Sequence, residues 1–235
     1  MLPAGRRLWR WACDKCRIAE HEGIKICDFV DDPAHQAAFV ARTIEAIELI
    51  KVADQRRFSR VRRHISYIVN VSAQESNGTG EYEPLIGICY VCFANYAIVS
   101  GDDIDPAEVP KTRVVTDGVA AAYGGLPVIS YALTLIHEAT HGAVEARGIR
   151  YTWENRIRIE RLCFLEETRF VERHCAWAAS EVLSEPDEQA YADQNRPHKR
   201  DDRVRWLSAS ITTLARRLAA LLEHHRKGKK TGVQN

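Results

Sequence analysis

A five-residue motif, HEATH at His137–His141, ends a long apolar run at positions 128–136. The stretch 128–147 contains no proline, Pro127 stands where a first helical residue is favoured, and Gly148 is placed to end a helix. The pattern predicts one buried helix that carries both histidines into the interior. A buried group of two imidazoles and a carboxylate needs partners, because burying polar and charged groups alone is costly.

The spacing of the motif places its side chains for metal binding. His137 and His141 are four residues apart, so on a helix both imidazoles face the same side and can reach one ion. Glu138 lies about 100° further round the helix, where it can reach a water on the metal without being a ligand. Two nitrogen ligands, a water and a carboxylate base suit a zinc hydrolase. The alternative is that both histidines are satisfied by hydrogen bonds without a metal.

A second helix, predicted from Trp153 to about Ala178 with Thr152 as N-cap, offers carboxylates for a third ligand. Glu160 is separated from His141 by eighteen residues. Glu160, Glu167 and His174 recur every seven residues and form one stripe, which we expect to face the interior.

Three glutamates of this helix compete for the role of third ligand. We favour Glu160, with Glu167 either as a hydrogen-bond acceptor for a ligand histidine or as the ligand itself. Glu166 points about 120° away from Glu160. The alternative is that these glutamates pair with the many arginines of the same helix, at positions 156, 158, 161, 169 and 173.

With these residues, the stretch from about Leu85 to His174 resembles the zincin superfamily of metallopeptidases, whose signature is HExxH on a helix. It is most similar to the gluzincin branch, in which a glutamate on a following helix is the third ligand, commonly eighteen residues after the motif. The resemblance implies an α+β, zincin-like fold, with a small β-sheet packed on the HExxH helix and additional N- and C-terminal helices. One departure is Phe164, which stands where thermolysin-like members have an Asp that supports a histidine. The choice between Glu160 and Glu167 therefore stays open.

The expected function is a zinc-dependent hydrolase, with a peptidase favoured. Zinc on His137, His141 and Glu160 would activate a water for attack on a carbonyl, and Glu138 would be the general base. In the superfamily a Tyr, His or Arg stabilises the transition state, and four candidates remain open here: Tyr123, Tyr151, His174 and Arg158.

The alternative function is a non-catalytic binding or regulatory protein on a zincin scaffold. Glu138 favours the enzyme, because a structural zinc site closes with a fourth protein ligand and does not need that carboxylate.

Two strands are predicted ahead of the motif. Leu85–Val99 is apolar, β-branched and aromatic, and its expected partner is Ile65–Val71, joined to it by a polar turn at Glu75–Gly80. An extended strand beside the helix could hold a peptide substrate by strand addition.

The remainder of the chain indicates helices around this unit. Asp31-Asp32-Pro33 is expected to provide an N-cap and a helix start, and the helix should run to Ile50 and continue or restart through Arg56–Arg63. We predict a hydrolase domain over 1–183, followed at 184–235 by a linker, an amphipathic helix at Arg203–His225 and a basic tail. The polar stretch Asp102–Asp117 is expected to be a loop.

Composition adds few constraints. The formal net charge is +1, so electrostatics favour no particular partner, and we expect a peptide or protein substrate rather than nucleic acid or a membrane. The start of the chain lacks the apolar region of a secretory signal, and the cysteine count of seven is odd; both favour a cytoplasmic setting. Oligomeric state stays open.

The cysteines raise the question of a second metal site. Cys13, Cys16, His21 and Cys27 offer ligand types for a small zinc site, although their spacing is irregular. The other four, Cys89, Cys92, Cys163 and Cys175, are expected to be buried free cysteines of the core.

Overall fold

A computed structural model describes residues 3–30, 33–71, 80–84, 86–93, 126–152 and 154–183. All of them belong to the first of two units into which the chain divides, Met1–Glu188. The fold is mixed α+β, with a small five-stranded sheet and helices on both of its faces. None of the described helices is long and apolar enough to cross a membrane.

The elements follow in chain order. The strands are β1 (Arg17–His21), β2 (Ile24–Asp28), β3 (Tyr67–Asn70), β4 (Gly80–Glu83) and β5 (Ile88–Val91). The helices are α1 (Pro3–Lys15), α2 (Pro33–Ala53), α3 (Gln55–His64), α4 (Leu126–Glu145), α5 (Arg156–His174) and, after a 3-10 turn at Ala176–Ala178, the short α6 (Ala179–Val182).

The sheet has the order β1-β2-β3-β5-β4, with β2, β3 and β5 parallel and both outer strands antiparallel to their neighbours. Alternating residues of the inner strands face opposite sides. Ile26 and Ile68 join the core formed with α2, α3, α4 and α5, whereas Cys27 and Val69 face the side on which α1 packs. Inner parallel strands covered on both faces are mostly apolar, as here, although β2 also contains Lys25 and Asp28 and β3 ends at Asn70.

The structure corrects the predicted strand pair. The neighbours β3 and β5 are parallel rather than a hairpin, and β5 is a strand only over Ile88–Val91, while 94–99 lies outside the described residues. Gly80, assigned to a polar turn, instead begins β4, and 75–79 is not among the described residues. A four-residue edge strand with the sequence GEYE carries too little apolar alternation to predict a strand.

The helix that carries HEATH is confirmed as α4, and its apolar run is buried. The start of α2 at Pro33 and a restarted helix at α3 also agree with the sequence prediction. The N-cap prediction for α5 was wrong: Asn155 occupies the cap position, and its side-chain oxygen accepts a hydrogen bond from the Thr152 backbone N–H at 2.8 Å.

A partly buried ionic cluster ties α5 to α3. Asp54 caps α3 by accepting from the backbone N–H groups of Arg56 and Arg57. Glu166 of α5 accepts from Arg60 at 2.9 Å and lies 3.3 Å from the Arg57 guanidinium. The cluster fixes α5 beside α3, and both helices pack against α4.

Several predictions concern parts of the chain outside the described residues. These are the loop Asp102–Asp117, the capping residues Asp31 and Asp32, the linker from Ser184 and the helix Arg203–His225. They stay predictions.

Candidate metal centre

Facing sides of α4 and α5 bring the predicted ligands together. His137 and His141 stand one turn apart on α4, with ring centroids 4.9 Å from each other. Glu160 of α5 reaches both rings: its Oε2 lies 3.1 Å from Nε2 of His137 and 3.7 Å from Nε2 of His141. The side chains of these three residues are at most one-fifth exposed. The site is thus partly closed from solvent.

The imidazole of His137 lies between two carboxylates. Glu167 Oε1 meets Nδ1, and Glu160 Oε2 meets Nε2. A neutral imidazole has only one N–H, so it can satisfy only one of these carboxylates. The other contact needs either a second proton or a cation between nitrogen and oxygen.

The distances from Glu160 Oε2 to the Nε2 atoms of His137 and His141 fit a metal ion bound between them. Two ligand atoms about 2.0–2.1 Å from a tetrahedral zinc ion stand roughly 3.3 Å apart. The separations of 3.1 and 3.7 Å from Glu160 Oε2 to the two ring nitrogens bracket this value. Ligand histidines commonly donate their other N–H to a carboxylate, and Glu167 lies at that nitrogen of His137.

Titration behaviour reflects the same arrangement. Burial opposes a charged imidazole, but the hydrogen bonds to Glu160 and Glu167 raise the pKa of His137 to about 10. Burial would raise the pKa of Glu160, yet hydrogen bonds from His137 and His141 hold it well below its usual range. These opposite shifts are those of an ion pair, and a divalent cation bound at the same atoms would compete with the proton on His137.

Glu138 follows His137 in the sequence but is not one of the proposed metal ligands. The residue is 5 % exposed, and its Oε1 approaches the edge strand so closely that a Cβ on Gly80 would stand 2.9 Å from it. Burial raises the pKa of Glu138 although His137 and His141 act in the opposite direction. A carboxylate whose pKa is moved toward neutrality is suited to general base catalysis.

Tyr151 covers one side of the site. Its hydroxyl donates a hydrogen bond to Glu160 Oε1, and its ring packs edge-on against His141 with centroids 5.3 Å apart. Burial and the Glu160 carboxylate raise the pKa of Tyr151, so the hydroxyl stays protonated and remains a donor. One oxygen of Glu160 is thereby occupied, which leaves Oε2 for the histidines.

The other candidates named from the sequence lie elsewhere or are not described. His174 packs against Phe170 and lies 3.6 Å from Asp54, away from the histidine pair. Arg158 is exposed, and Tyr123 lies outside the described residues. Glu166 pairs with arginines, as expected for a residue that points away from Glu160.

The sequence predicted only a core position for Cys163, whereas the structure also places its sulfur near both histidines. The residue is fully buried, and its sulfur lies with the ligand atoms of His137 and His141 in a group whose members are within 4.8 Å of one another. A sequence signal existed, because Cys163 is three residues after Glu160 and four before Glu167, on the same helical stripe.

The described residues give no support to a second metal site at the cysteines near the start of the chain. Cys27 Sγ donates to the backbone carbonyl of Cys13, and the described residues contain no metal-binding group that includes Cys13 or Cys16. His21, Glu22 and Glu48 do cluster, but the Lys51 ammonium already lies 2.7 Å from Glu22 and 3.0 Å from Glu48. The lysine supplies the cation there. All seven cysteines are free.

No family model matches the chain, and comparison with curated proteins and with solved structures found no significant match. The geometry of the site is therefore what bears on function.

Proposed function

We propose that this protein is a zinc-dependent hydrolase on a zincin-like fold, with peptides as the favoured substrates. His137, His141 and Glu160 are the proposed ligands, and Glu138 is the proposed general base. The observation that supports this most is the single oxygen of Glu160 that lies within 3.7 Å of both ring nitrogens, while Glu167 takes the remaining nitrogen of His137.

Zinc, when bound at these residues, would polarise a substrate carbonyl and lower the pKa of a coordinated water to around neutrality. The chain's own groups then have separate roles. Glu138 accepts a proton from the attacking water and holds it for the leaving amine. Glu167 fixes the ring of His137, and Tyr151 holds the oxygen of Glu160 that is not needed by the metal.

The position of Glu138 favours an enzyme over a non-catalytic scaffold. A structural zinc site uses four protein ligands and has no need of a buried carboxylate beside it. Burying an ionisable group costs stability unless something compensates. A carboxylate that is 5 % exposed and adjacent to the histidines is explained by a catalytic role.

The edge strand β4 supports a peptide as substrate. Its four residues pair with β5 on one side, and no described strand pairs with the other side. Gly80 brings this strand against Thr134 and Glu138 of α4. An extended peptide added to the free edge would have its main chain held beside the proposed base.

The first test is elemental mass spectrometry of protein purified without added metal, followed by assay of the zinc-loaded protein on a mixed peptide library. We expect about one zinc per chain and cleavage that Glu138→Gln lowers by a factor of about 10²–10⁴. Glu145→Gln, a change on the same helix away from the ligands, is the control and should keep both zinc and activity. Protein that takes up no zinc would contradict the proposal.

A further inference from the structure

Cys163 lies at the interface of α4 and α5, close to His137 and His141. It is 0 % exposed and packs with Val144 and Ile159. Its sulfur and the ligand atoms of His137 and His141 are all within 4.8 Å of one another. Glu160 and Glu167, which contact His137, stand one turn before and one turn after it on α5.

Burial in a core does not by itself account for this position. Cys27, another buried cysteine, donates to a backbone carbonyl, whereas Cys163 makes no hydrogen bond to the residues that the structure describes. No other described cysteine stands in a group with two histidines. The thiol is therefore a donor atom that lies within 4.8 Å of a ring nitrogen of each histidine.

The distances between the sulfur and the two ring nitrogens can be compared with the spacing of ligand atoms around one zinc ion. A sulfur about 2.3 Å and a nitrogen about 2.0–2.1 Å from one tetrahedral zinc stand roughly 3.5 Å apart. Atoms within 4.8 Å of one another would have to approach by at most about 1.3 Å to reach that arrangement. Thiolate is also a soft ligand that favours zinc over magnesium, calcium and manganese.

We propose that Cys163 is a fourth protein donor to the metal of this site in a resting state, and that an incoming water displaces its thiolate to open the coordination position needed for hydrolysis. The inference rests on the proposed zinc site and adds regulation to it. In the step that closes the site the S–H bond breaks, a metal–sulfur bond forms, one water leaves and the proton passes to solvent. Four protein ligands make a closed site, and three leave a position for chemistry.

The test uses the full chain loaded with cobalt(II) in place of zinc, because cobalt bound to thiolate has a sulfur-to-metal charge-transfer band in the near ultraviolet. Cobalt per chain is measured on the same samples. We expect the band in the wild type and in Cys175→Ala, a matched change of a buried cysteine at the end of α5. In Cys163→Ala and in the more conservative Cys163→Ser the band should be lost while cobalt still binds.

Each outcome decides between the two proposals. A wild type that binds one cobalt without the band, or a band that persists in Cys163→Ser, overturns the role of Cys163 and leaves the hydrolase site intact. A chain that binds no cobalt overturns both.

X-ray absorption at the zinc edge of the unmodified zinc protein needs no variant, and a sulfur at about 2.3 Å is the result expected. A shell with only nitrogen and oxygen would contradict the proposal.

Discussion

Glu167 lies against Nδ1 of His137, on the edge of the imidazole opposite the nitrogen that faces Glu160. This contact fixes the ring and determines which nitrogen carries the proton. Glu167 lies seven residues after Glu160, two helical turns further along α5, so both carboxylates reach the same histidine from one side of the helix.

Removal of this carboxylate should weaken metal binding. We expect Glu167→Ala to lower zinc affinity by a factor of about 10–100, as is typical when the partner of a ligand histidine is lost. Competition with a chelator of known affinity measures the change. Glu172→Ala, on the exposed side of the same helix, should have no effect, and equal affinities for the two variants would argue against the role of Glu167.

Tyr151→Phe removes the hydroxyl that donates to Glu160 and keeps the ring that packs on His141. A hydrogen bond to a charged group contributes about 1.5 kcal/mol or more, so zinc affinity should fall about tenfold. The same chelator competition applies. Tyr67→Phe, which removes a hydroxyl hydrogen-bonded to Asp14, serves as the control. An unchanged affinity in Tyr151→Phe would show that the hydroxyl does not hold Glu160.

Gly80→Ala tests the close approach of the edge strand to α4. The added Cβ would meet Thr134 Cγ2 at 2.6 Å and Glu138 Oε1 at 2.9 Å, so either the strand or the proposed base must shift. We expect peptide cleavage to fall at least tenfold, since small displacements of catalytic groups are costly, with zinc content unchanged.

Gly148→Ala provides the comparison for this variant. Gly148 has φ +79° with open space around it, so alanine there strains the backbone and lowers stability by about 1 kcal/mol without touching the site. Loss of activity in Gly148→Ala equal to that in Gly80→Ala would indicate a general effect on folding.

Asp54→Ala should destabilise the fold by about 2–4 kcal/mol at pH 7, because it removes the cap of α3 and one partner of the buried Arg57. Burial would raise the pKa of Asp54, but hydrogen bonds from the Arg57 backbone and guanidinium lower it below its ordinary value. A group with a lowered pKa stabilises the fold above about pH 4, and this contribution is lost as the pH falls through the folded value. Urea unfolding of both proteins should therefore show a difference at pH 7 that narrows toward pH 3. A constant difference would contradict this assignment.

The side chains of the site that recur at helical spacing along the chain could be predicted from the sequence. The buried α4 follows from its apolar run, and the approach of Glu160 and Glu167 to His137 follows from their seven-residue spacing. Glu166 was separated from them by the same geometry, and it does pair with arginines of α3.

Features that depend on tertiary contacts could not be predicted in the same way. The edge strand β4 is short and polar, and it is a strand because it pairs with β5 and packs on α4. Cys163 has the composition of a core residue, and only the packing of α5 against α4 places its sulfur beside two imidazoles. The cap of α5 was misassigned because the helix begins later than its sequence suggests: Asn155 stands at the cap position, and its side chain bonds back to Thr152 and Arg150 rather than to the helix.

The contact between Gly80 and α4 has a consequence for how the sheet assembles. Gly80 pairs with Val91, and Glu81 pairs with Tyr90. A slip of one residue would place Glu81 where Gly80 stands and force a charged side chain into Thr134 and Glu138. The docking of α4 therefore disfavours this slip, so the carboxylate proposed for catalysis also helps to hold the register at the edge of the sheet.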